Sequence, residues 1–120
     1  MKILVTSQGD DLSSPVDPRF GRAKYFVLVD SDSGSFTAHD NTQNLNAMQG
    51  AGIQAAQNAI ELGAEAILTG NVGPKAYATL QAGNVAIFTG ASGTVQEAID
   101  NYRAGKFQAA GKANVEGHWT

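Results

Sequence analysis

Short apolar runs near the N-terminus of the chain predict three β-strands. The runs at residues 2–7, 24–29 and 35–39 have the length of strands and are too short for buried helices. A turn at 30–34 separates the second run from the third, so we expect a hairpin there. The third run alternates apolar with polar residues, which is typical of a strand at the edge of a sheet.

The middle of the chain changes to a helical period. Within residues 50–62, Ile53, Ala56 and Ile60 recur at the spacing that places them on one helix face. We expect this face to be buried. Gly63 follows as the residue that ends the helix.

Two strand–helix units come next. Apolar runs at 65–68 and 85–88 predict strands that each lead into a helix. The first of these helices covers 74–81, and the second begins at a capping box formed by Thr94 and Glu97. The predicted buried faces of the two helices consist of Tyr77, Leu80, Val95, Ala98, Ile99 and Tyr102.

This order of elements predicts an α/β fold with one five-stranded mixed sheet flanked by helices. Strands joined through a helix run parallel by right-handed crossovers, whereas strands joined by turns pair antiparallel. The strand order 3-2-1-4-5 satisfies both requirements. We expect a single domain over residues 1–120, in which 106–120 forms a C-terminal tail without a clear period.

The predicted strand directions bring four loops to one edge of the sheet. These loops are 7–23, 39–50, 69–73 and 89–94, and their shared surface is called the rim below. In open α/β sheets, ligands bind beyond the carboxyl ends of parallel strands, where the strand order reverses. In this chain the reversal lies between the first and fourth strands, so the rim is the predicted ligand site.

The rim carries features that suit an anion. Residues 69–73 contain two glycines and precede a helix, whose N-terminus offers backbone N–H groups and a positive dipole end. Arg19, Arg22 and Lys24 place three cations within six positions, at the end of the adjoining loop and the start of the second strand. Alternatively, these cations are solvated or pair with aspartates of their own loop, such as Asp17.

Composition limits the class of ligand. The net charge is −3, which argues against general binding to nucleic acid or to membrane surfaces. The absence of cysteine excludes thiolate-bound zinc and cysteine-held iron–sulfur clusters. No apolar run is long enough to span a bilayer and none has the form of a signal peptide, so we expect a cytoplasmic protein.

Weaker motifs do not point to another function. Residues 50–55 fit the dinucleotide pattern G-x-G-x-x-A, but they follow a polar loop and lack an acidic residue about 20 positions later. The first strand contains no carboxylate of the kind that a two-metal nuclease uses. His39 and Met48 are candidate metal ligands because both fall on the rim.

Four segments carry a more specific signal. They are residues 16–26 (VDPRFGRAKYF), 50–57 (GAGIQAAQ), 68–74 (LTGNVGP) and 90–98 (GASGTVQEA). In sequence and in order they resemble the dinitrogenase iron–molybdenum cofactor biosynthesis family. Within that family, the chain is most similar to the cysteine-free orange-protein branch.

The resemblance implies a ribonuclease H-like fold and a non-enzymatic carrier of a preformed, anionic metal–sulfur cluster. The cargo would be a molybdenum–copper sulfide cluster or an iron–molybdenum cofactor precursor, exchanged with donor and acceptor proteins. Such a cluster brings its own sulfides, so it needs N–H donors and cations rather than thiolates. The residues implied for cluster binding are Arg19, Phe20, Gly21, Arg22, Asn41, Gly50, Ala51, Gly52, Thr69, Gly70, Asn71, Val72 and Gly73.

Two other functions stay open at this point. The same rim suits a sensor of a small anion or a nucleotide, and the order of elements suits a ribonuclease H-like hydrolase. A visible absorption band in the purified protein would indicate a cluster carrier. A melting shift with a nucleotide would indicate the sensor, and metal-dependent hydrolysis would indicate the enzyme.

Overall fold

The structure is a computed structural model that describes residues 1–41 and 51–107 of the chain. Within these ranges the strands are β1 (Lys2–Ser7), β2 (Tyr25–Asp30), β3 (Phe36–Asp40), β4 (Ala66–Leu68) and β5 (Ala86–Phe88), and the helices are α1 (Ala51–Glu61), α2 (Pro74–Ala82) and α3 (Val95–Arg103). None of these helices has the length and apolar character needed to cross a membrane.

The five strands form one mixed sheet with the order β3-β2-β1-β4-β5. β1 pairs antiparallel with β2 and parallel with β4, so that Ile3 lies opposite both Val29 and Ala66. β2 pairs antiparallel with β3, and β4 pairs parallel with β5. The predicted α/β class, mixed pairing and strand order are therefore confirmed, while the ribonuclease H-like designation stays a prediction.

The burial of the strands follows their place in the sheet. In the central strand β1, Ile3, Leu4 and Val5 are fully buried on both faces. A continuous apolar run suits such a strand, because helices cover both of its sides. In β3 all residues except the half-buried His39 are exposed, which confirms the prediction of an edge strand.

Helices cover both faces of the sheet. On one face, Ala55 of α1 and Leu80 of α2 pack in a core cluster with Leu4. On the other face, Ile99 of α3 packs in a second cluster with Val5. Each cluster contains alternate residues of β1, so this strand connects the two halves of the core.

Helix α3 agrees with its prediction in detail. The Thr94 hydroxyl accepts a hydrogen bond from Glu97 N, and Thr94 N donates to Glu97 Oε1, each at 3.1 Å. This reciprocal pair is the predicted capping box. Val95 and Ile99 are buried, and Tyr102 is partly buried against the same cluster.

The buried face of α1 differs from its prediction. Ile53 is half-buried, and Ile60 packs against the core only in part, so placing both in the core was wrong. The small side chains of this helix face inward because they let its backbone approach the sheet and the loop before β2 closely. The buried residues of α1 are Ala51, Gly52, Ala55, Ala56 and Ala59. The predicted helix start at Gly50 and the tail beyond residue 107 lie outside the described residues.

Candidate functional site

The long loop between β1 and β2, residues 8–24, is bound to the ends of the parallel strands. Asp17 N donates a hydrogen bond to Thr6 O of β1 at 2.9 Å. Phe20 N donates to Asn71 O, just after β4, at 3.2 Å. The loop therefore crosses the carboxyl ends of β1 and β4, where the strand order reverses.

Two further loops join this surface. Val16 N donates to Gly93 O, in the loop after β5, at 2.8 Å. Asn41 N, at the end of β3, donates to Lys24 O at 2.8 Å. The described parts of all four predicted loops thus meet at one edge of the sheet, as the strand directions predicted.

Two buried hydroxyl groups fix the junction beneath the rim. Thr6 Oγ1 lies 2.7 Å from Asp17 O and 2.8 Å from Thr69 Oγ1. A hydroxyl has one proton, so when Thr6 donates to the carbonyl, Thr69 donates to Thr6. Thr6 and Thr69 are fully buried. This pair of hydrogen bonds therefore ties loop 8–24 to the ends of both β1 and β4.

Arg19 and Asn71 are joined directly by their backbones. They form an isolated parallel β-bridge, and Asn71 donates to Pro18 O through N at 2.7 Å and through Nδ2 at 3.3 Å. A Cβ on Gly70 would lie 2.7 Å from Pro18 Cα, so this approach requires glycine. The Arg19 side chain remains 44% exposed. The bridge thus fixes the backbone of Arg19, whose side chain is accessible, beside the Gly-rich turn.

A cavity of about 260 Å³ opens beside this bridge. Its lining consists of Gln8, Asp17, Arg19 and Lys24, and two of these side chains are cations. The Asp17 carboxylate is only 3% exposed. Its Oδ1 accepts a hydrogen bond from Arg19 N at 2.9 Å and lies 3.5 Å from Arg19 Nε. The cavity therefore has cationic walls around a buried carboxylate.

The N-terminus of α2 faces the same edge. Gly73 is its N-cap, in an extended backbone conformation, and no side chain caps this end. Pro74 is the first helical residue, and it has no N–H group of its own. Among the described residues, hydrogen bonds engage the N–H of Asn71, whereas none engages the N–H of Gly70 or Gly73. Gly70 is half-buried and Gly73 is buried, so the Gly70 amide is the more accessible donor of residues 69–73.

Other predicted binding residues support the rim from below. The Phe20 ring is buried and stacks on Phe26, with ring centroids 5.5 Å apart. Asn41 is buried, and its Nδ2 donates to Ala23 O at 2.8 Å. Side-chain contact with a ligand is therefore open mainly to Arg19 and the half-buried Arg22 and Asn71. The predicted residues that the structure buries are Phe20, Gly21, Asn41, Ala51, Gly52, Thr69, Val72 and Gly73.

His39 lies away from the Gly-rich turn. It lines a separate cavity of about 370 Å³ between β3 and α1, and its Nε2 is 2.8 Å from Thr37 Oγ1. β3 is three strands from β4, a lateral distance of about 14 Å. Met48 and Gly50, the other predicted contacts from this side, lie outside the described residues. Residues 1–41 and 51–107 contain no group of three or more His, Asp or Glu side chains that could hold a metal ion.

Sequence reasoning named Asp17 only as a candidate ion-pair partner for the loop cations, a pairing that Arg19 makes, and it missed the part played by Thr6. Thr6 is a polar residue near the end of an otherwise apolar strand, a position where a buried hydroxyl needs a partner. Asp17 precedes Pro18, in a dipeptide typical of turns. These signals existed, but the contacts of Thr6 with Asp17 and Thr69 join residues that are 11 and 63 positions apart in the chain.

Comparison with known proteins gives a consistent result. The model of the family described as dinitrogenase iron–molybdenum cofactor matches residues 1–105. The apo form of the orange protein from Desulfovibrio gigas has a similar structure, with a TM-score of 0.93 and 39% identity over 95% of this chain and 96% of that one.

Two more proteins extend the comparison. A Thermotoga protein of the DUF35 family, described as a candidate NifB protein, gives a TM-score of 0.83 and 35% identity over 95% of this chain and 97% of that one. An uncharacterised protein of Methanocaldococcus jannaschii is 28% identical over 110 residues, which are 90% of each chain.

Proposed function

The chain belongs to the dinitrogenase iron–molybdenum cofactor family, and from this membership we propose that it carries a preformed, anionic metal–sulfur cluster on its rim. The cluster is cargo, bound non-covalently and exchanged with donor and acceptor proteins in the cytoplasm. The role is one of binding rather than catalysis.

One observation carries the proposal: the backbone bridge between Arg19 and Asn71. It fixes the backbone of Arg19, whose side chain is accessible, beside the Gly-rich turn that leads into α2, and no side chain caps the N-terminus of that helix. Charge-assisted hydrogen bonds from guanidinium and backbone N–H groups suit an anion that supplies its own sulfide ligands. The chain contains no cysteine, so such a cluster would be held without thiolates.

The site residues divide into two proposed roles. Arg19, Arg22 and Lys24 neutralise the charge of the cluster, while the N–H group of the half-buried Gly70 donates to its sulfides. The buried residues, such as Phe20 and Thr69, hold these groups in place. Fewer residues are therefore proposed to touch the cluster than the sequence implied, because Phe20 and Thr69 were candidates for direct contact there.

The proposed cargo contains molybdenum. The similarity to the orange protein favours a molybdenum–copper sulfide cluster. The family as a whole, and the relative described as a candidate NifB protein, favour a precursor of the iron–molybdenum cofactor. Direct ligation by His39 or Met48 is a secondary proposal, since His39 lies on the far side of β2 from the Arg19 cavity.

A second candidate function has one observation in its favour. The cavity of about 260 Å³ with Arg19 and Lys24 in its walls also suits a small inorganic anion or a nucleotide phosphate. In that case the protein is a sensor and carries no cluster.

The decisive experiment is isolation of the protein from its native host under anaerobic conditions, followed by elemental analysis and visible absorption spectroscopy. We expect molybdenum and sulfide in a fixed ratio, together with an absorption band. An Arg19→Gln/Arg22→Gln variant purified in parallel should be colourless. Metal-free wild-type protein, or wild-type protein that contains a nucleotide instead, would contradict the proposal.

A further inference from the structure

Asp17 is an unexpected residue in a cavity that is proposed to bind an anion. It is 2% exposed, yet its carboxylate lines the same cavity as Arg19 and Lys24. A carboxylate at this position opposes the negative charge of any anionic cargo that enters. The other wall residue, Gln8, is uncharged and exposed.

The carboxylate cannot easily turn away. Asp17 N donates to Thr6 O at 2.9 Å, and Asp17 O accepts from Thr6 Oγ1 at 2.7 Å, so its backbone is fixed on both sides. Its Oδ1 accepts from Arg19 N at 2.9 Å, which closes a local turn. Asp17 thereby holds the backbone of the residue that presents the main guanidinium group.

The side chains of Asp17 and Arg19 form only a loose ion pair. Arg19 Nε lies 3.5 Å from Oδ1, longer than the 2.7–2.9 Å typical of a charge-assisted hydrogen bond. Within the described part of the chain, this is the only ion pair that Arg19 makes. The guanidinium group is therefore available to the cargo while the carboxylate stays beside it.

We propose that Asp17 is a positioning residue that also sets the rate of cargo release: it fixes Arg19 while its charge weakens the hold on the anion. This inference rests on the proposed function. A carrier must release what it binds, and a like charge a few ångströms away in a partly exposed cavity lowers affinity by a factor on the order of 10. Removing only the charge of Asp17 should therefore tighten binding.

Asp17→Asn isolates this effect. Asparagine keeps the Oδ1 acceptor for Arg19 N and the backbone bonds to Thr6, but it loses the charge. Asp10→Asn is the matched control, because it changes the net charge equally at an exposed position of the same loop. Gln8→Glu is the converse variant, since it adds a carboxylate to the cavity wall. Its control is Gln57→Glu, which adds the same charge on the exposed side of α1.

The experiment loads each protein with tetrathiomolybdate and Cu(I), then follows release to an excess of chelator by absorbance. Release from Asp17→Asn should be about threefold to thirtyfold slower than from wild type, and release from Gln8→Glu should be faster. Both controls should stay within about twofold of wild type. A high-salt series should shrink both differences because ions screen the charges.

Two outcomes separate this inference from the proposed function. If Arg19→Gln weakens loading but Asp17→Asn and Gln8→Glu release at the wild-type rate, the inference fails and the carrier proposal stands. If wild type does not load at all, the carrier proposal fails.

Faster release from a folded Asp17→Asn variant would show that Asp17 is only structural. If that variant is unstable, Gln8→Glu alone decides, since an unchanged rate overturns the inference.

Discussion

Gly21 and Gly52 lie against each other backbone to backbone. A Cβ on Gly21 would lie 3.0 Å from Gly52 Cα and 3.1 Å from Gly52 N. The loop before β2 thus rests directly on helix α1, with no side chain between them. The glycines of these two motifs therefore provide close packing, and the contact covers Gly52, whose N–H had been expected to face a ligand.

We predict that Gly21→Ala lowers the free energy of unfolding by about 1–3 kcal/mol, because the added methyl group meets backbone atoms that cannot yield. Gly83→Ala is the control. Its Cβ would meet Ile60 Cδ1 at 2.6 Å and Cγ1 at 2.9 Å, two atoms of one side chain that can change rotamer, and no backbone atom closer than 3.6 Å. Urea denaturation should show a clearly smaller loss for Gly83→Ala. Equal stability of Gly21→Ala and wild type would contradict the packing described for this contact.

The two isoleucines at 53 and 99 should differ in their contribution to stability. Ile99 is 1% exposed, so Ile99→Ala should cost about 2–5 kcal/mol through lost burial and a cavity. Ile53 is half-buried, so Ile53→Ala should cost less than half as much. Thermal and urea unfolding of both variants measure this difference. Similar costs would mean that α1 buries a different face from the one observed.

The case of α1 shows which part of the fold the sequence can predict. Strand order followed from connection rules alone, because strands joined by turns and strands joined by helices have different pairing requirements. The face of α3 followed from a regular apolar stripe. The face of α1 did not, since the largest apolar residues need not be the buried ones where a helix must approach a loop as closely as Gly52 approaches Gly21.

The acid sensitivity of the fold should depend in part on Asp30. Its carboxylate accepts hydrogen bonds from Asp32 N at 2.9 Å and Ser33 N at 3.4 Å, and with Lys2 nearby these hold its pKa below the usual value of 3.8. A carboxyl whose pKa is lower in the folded state stabilises the protein above its unfolded pKa. That contribution disappears as the pH falls through the folded pKa.

Asp30→Asn should therefore be less stable than wild type at pH 6, and the difference should narrow below about pH 4. Melting temperatures measured from pH 6 to pH 2.5 test this expectation. Asp10→Asn, which removes one carboxylate from an exposed loop position, is the comparison for net charge. A difference between Asp30→Asn and wild type that stayed constant or grew at low pH would contradict a lowered pKa for Asp30 in the folded protein.

Cluster binding should weaken as salt rises. Screening shortens the range of electrostatic interactions from about 10 Å at 0.1 M salt to about 3 Å at 1 M. Titration of the apoprotein with tetrathiomolybdate and Cu(I) at several salt concentrations should give a steadily lower affinity. An affinity independent of salt would instead point to direct ligation, and loss of binding in His39→Ala or Met48→Ala would identify the ligand.

The candidate site was predictable in outline only. Arg19 and residues 69–73 stand out in the sequence as cations and a helix start, and the strand order places them on one edge. Their backbone bridge, and the use of Asn71 N to bind Pro18 O, depend on a loop path that no local pattern encodes. Phe20 likewise has the sequence position of a contact residue but lies in the core.

The central claim is that the arginines of the rim hold an anionic cluster, and one titration tests it most directly. Arg19→Gln/Arg22→Gln is compared with Arg103→Gln/Lys106→Gln, which removes the same charge at the end of α3 and just beyond it, away from the rim. Each charged hydrogen bond is typically worth about 1.5–3 kcal/mol, so the rim variant should bind tetrathiomolybdate and Cu(I) well over tenfold more weakly. The control variant should bind as wild type does. Wild-type affinity in a folded rim variant, or equal weakening in both variants, would contradict the claim.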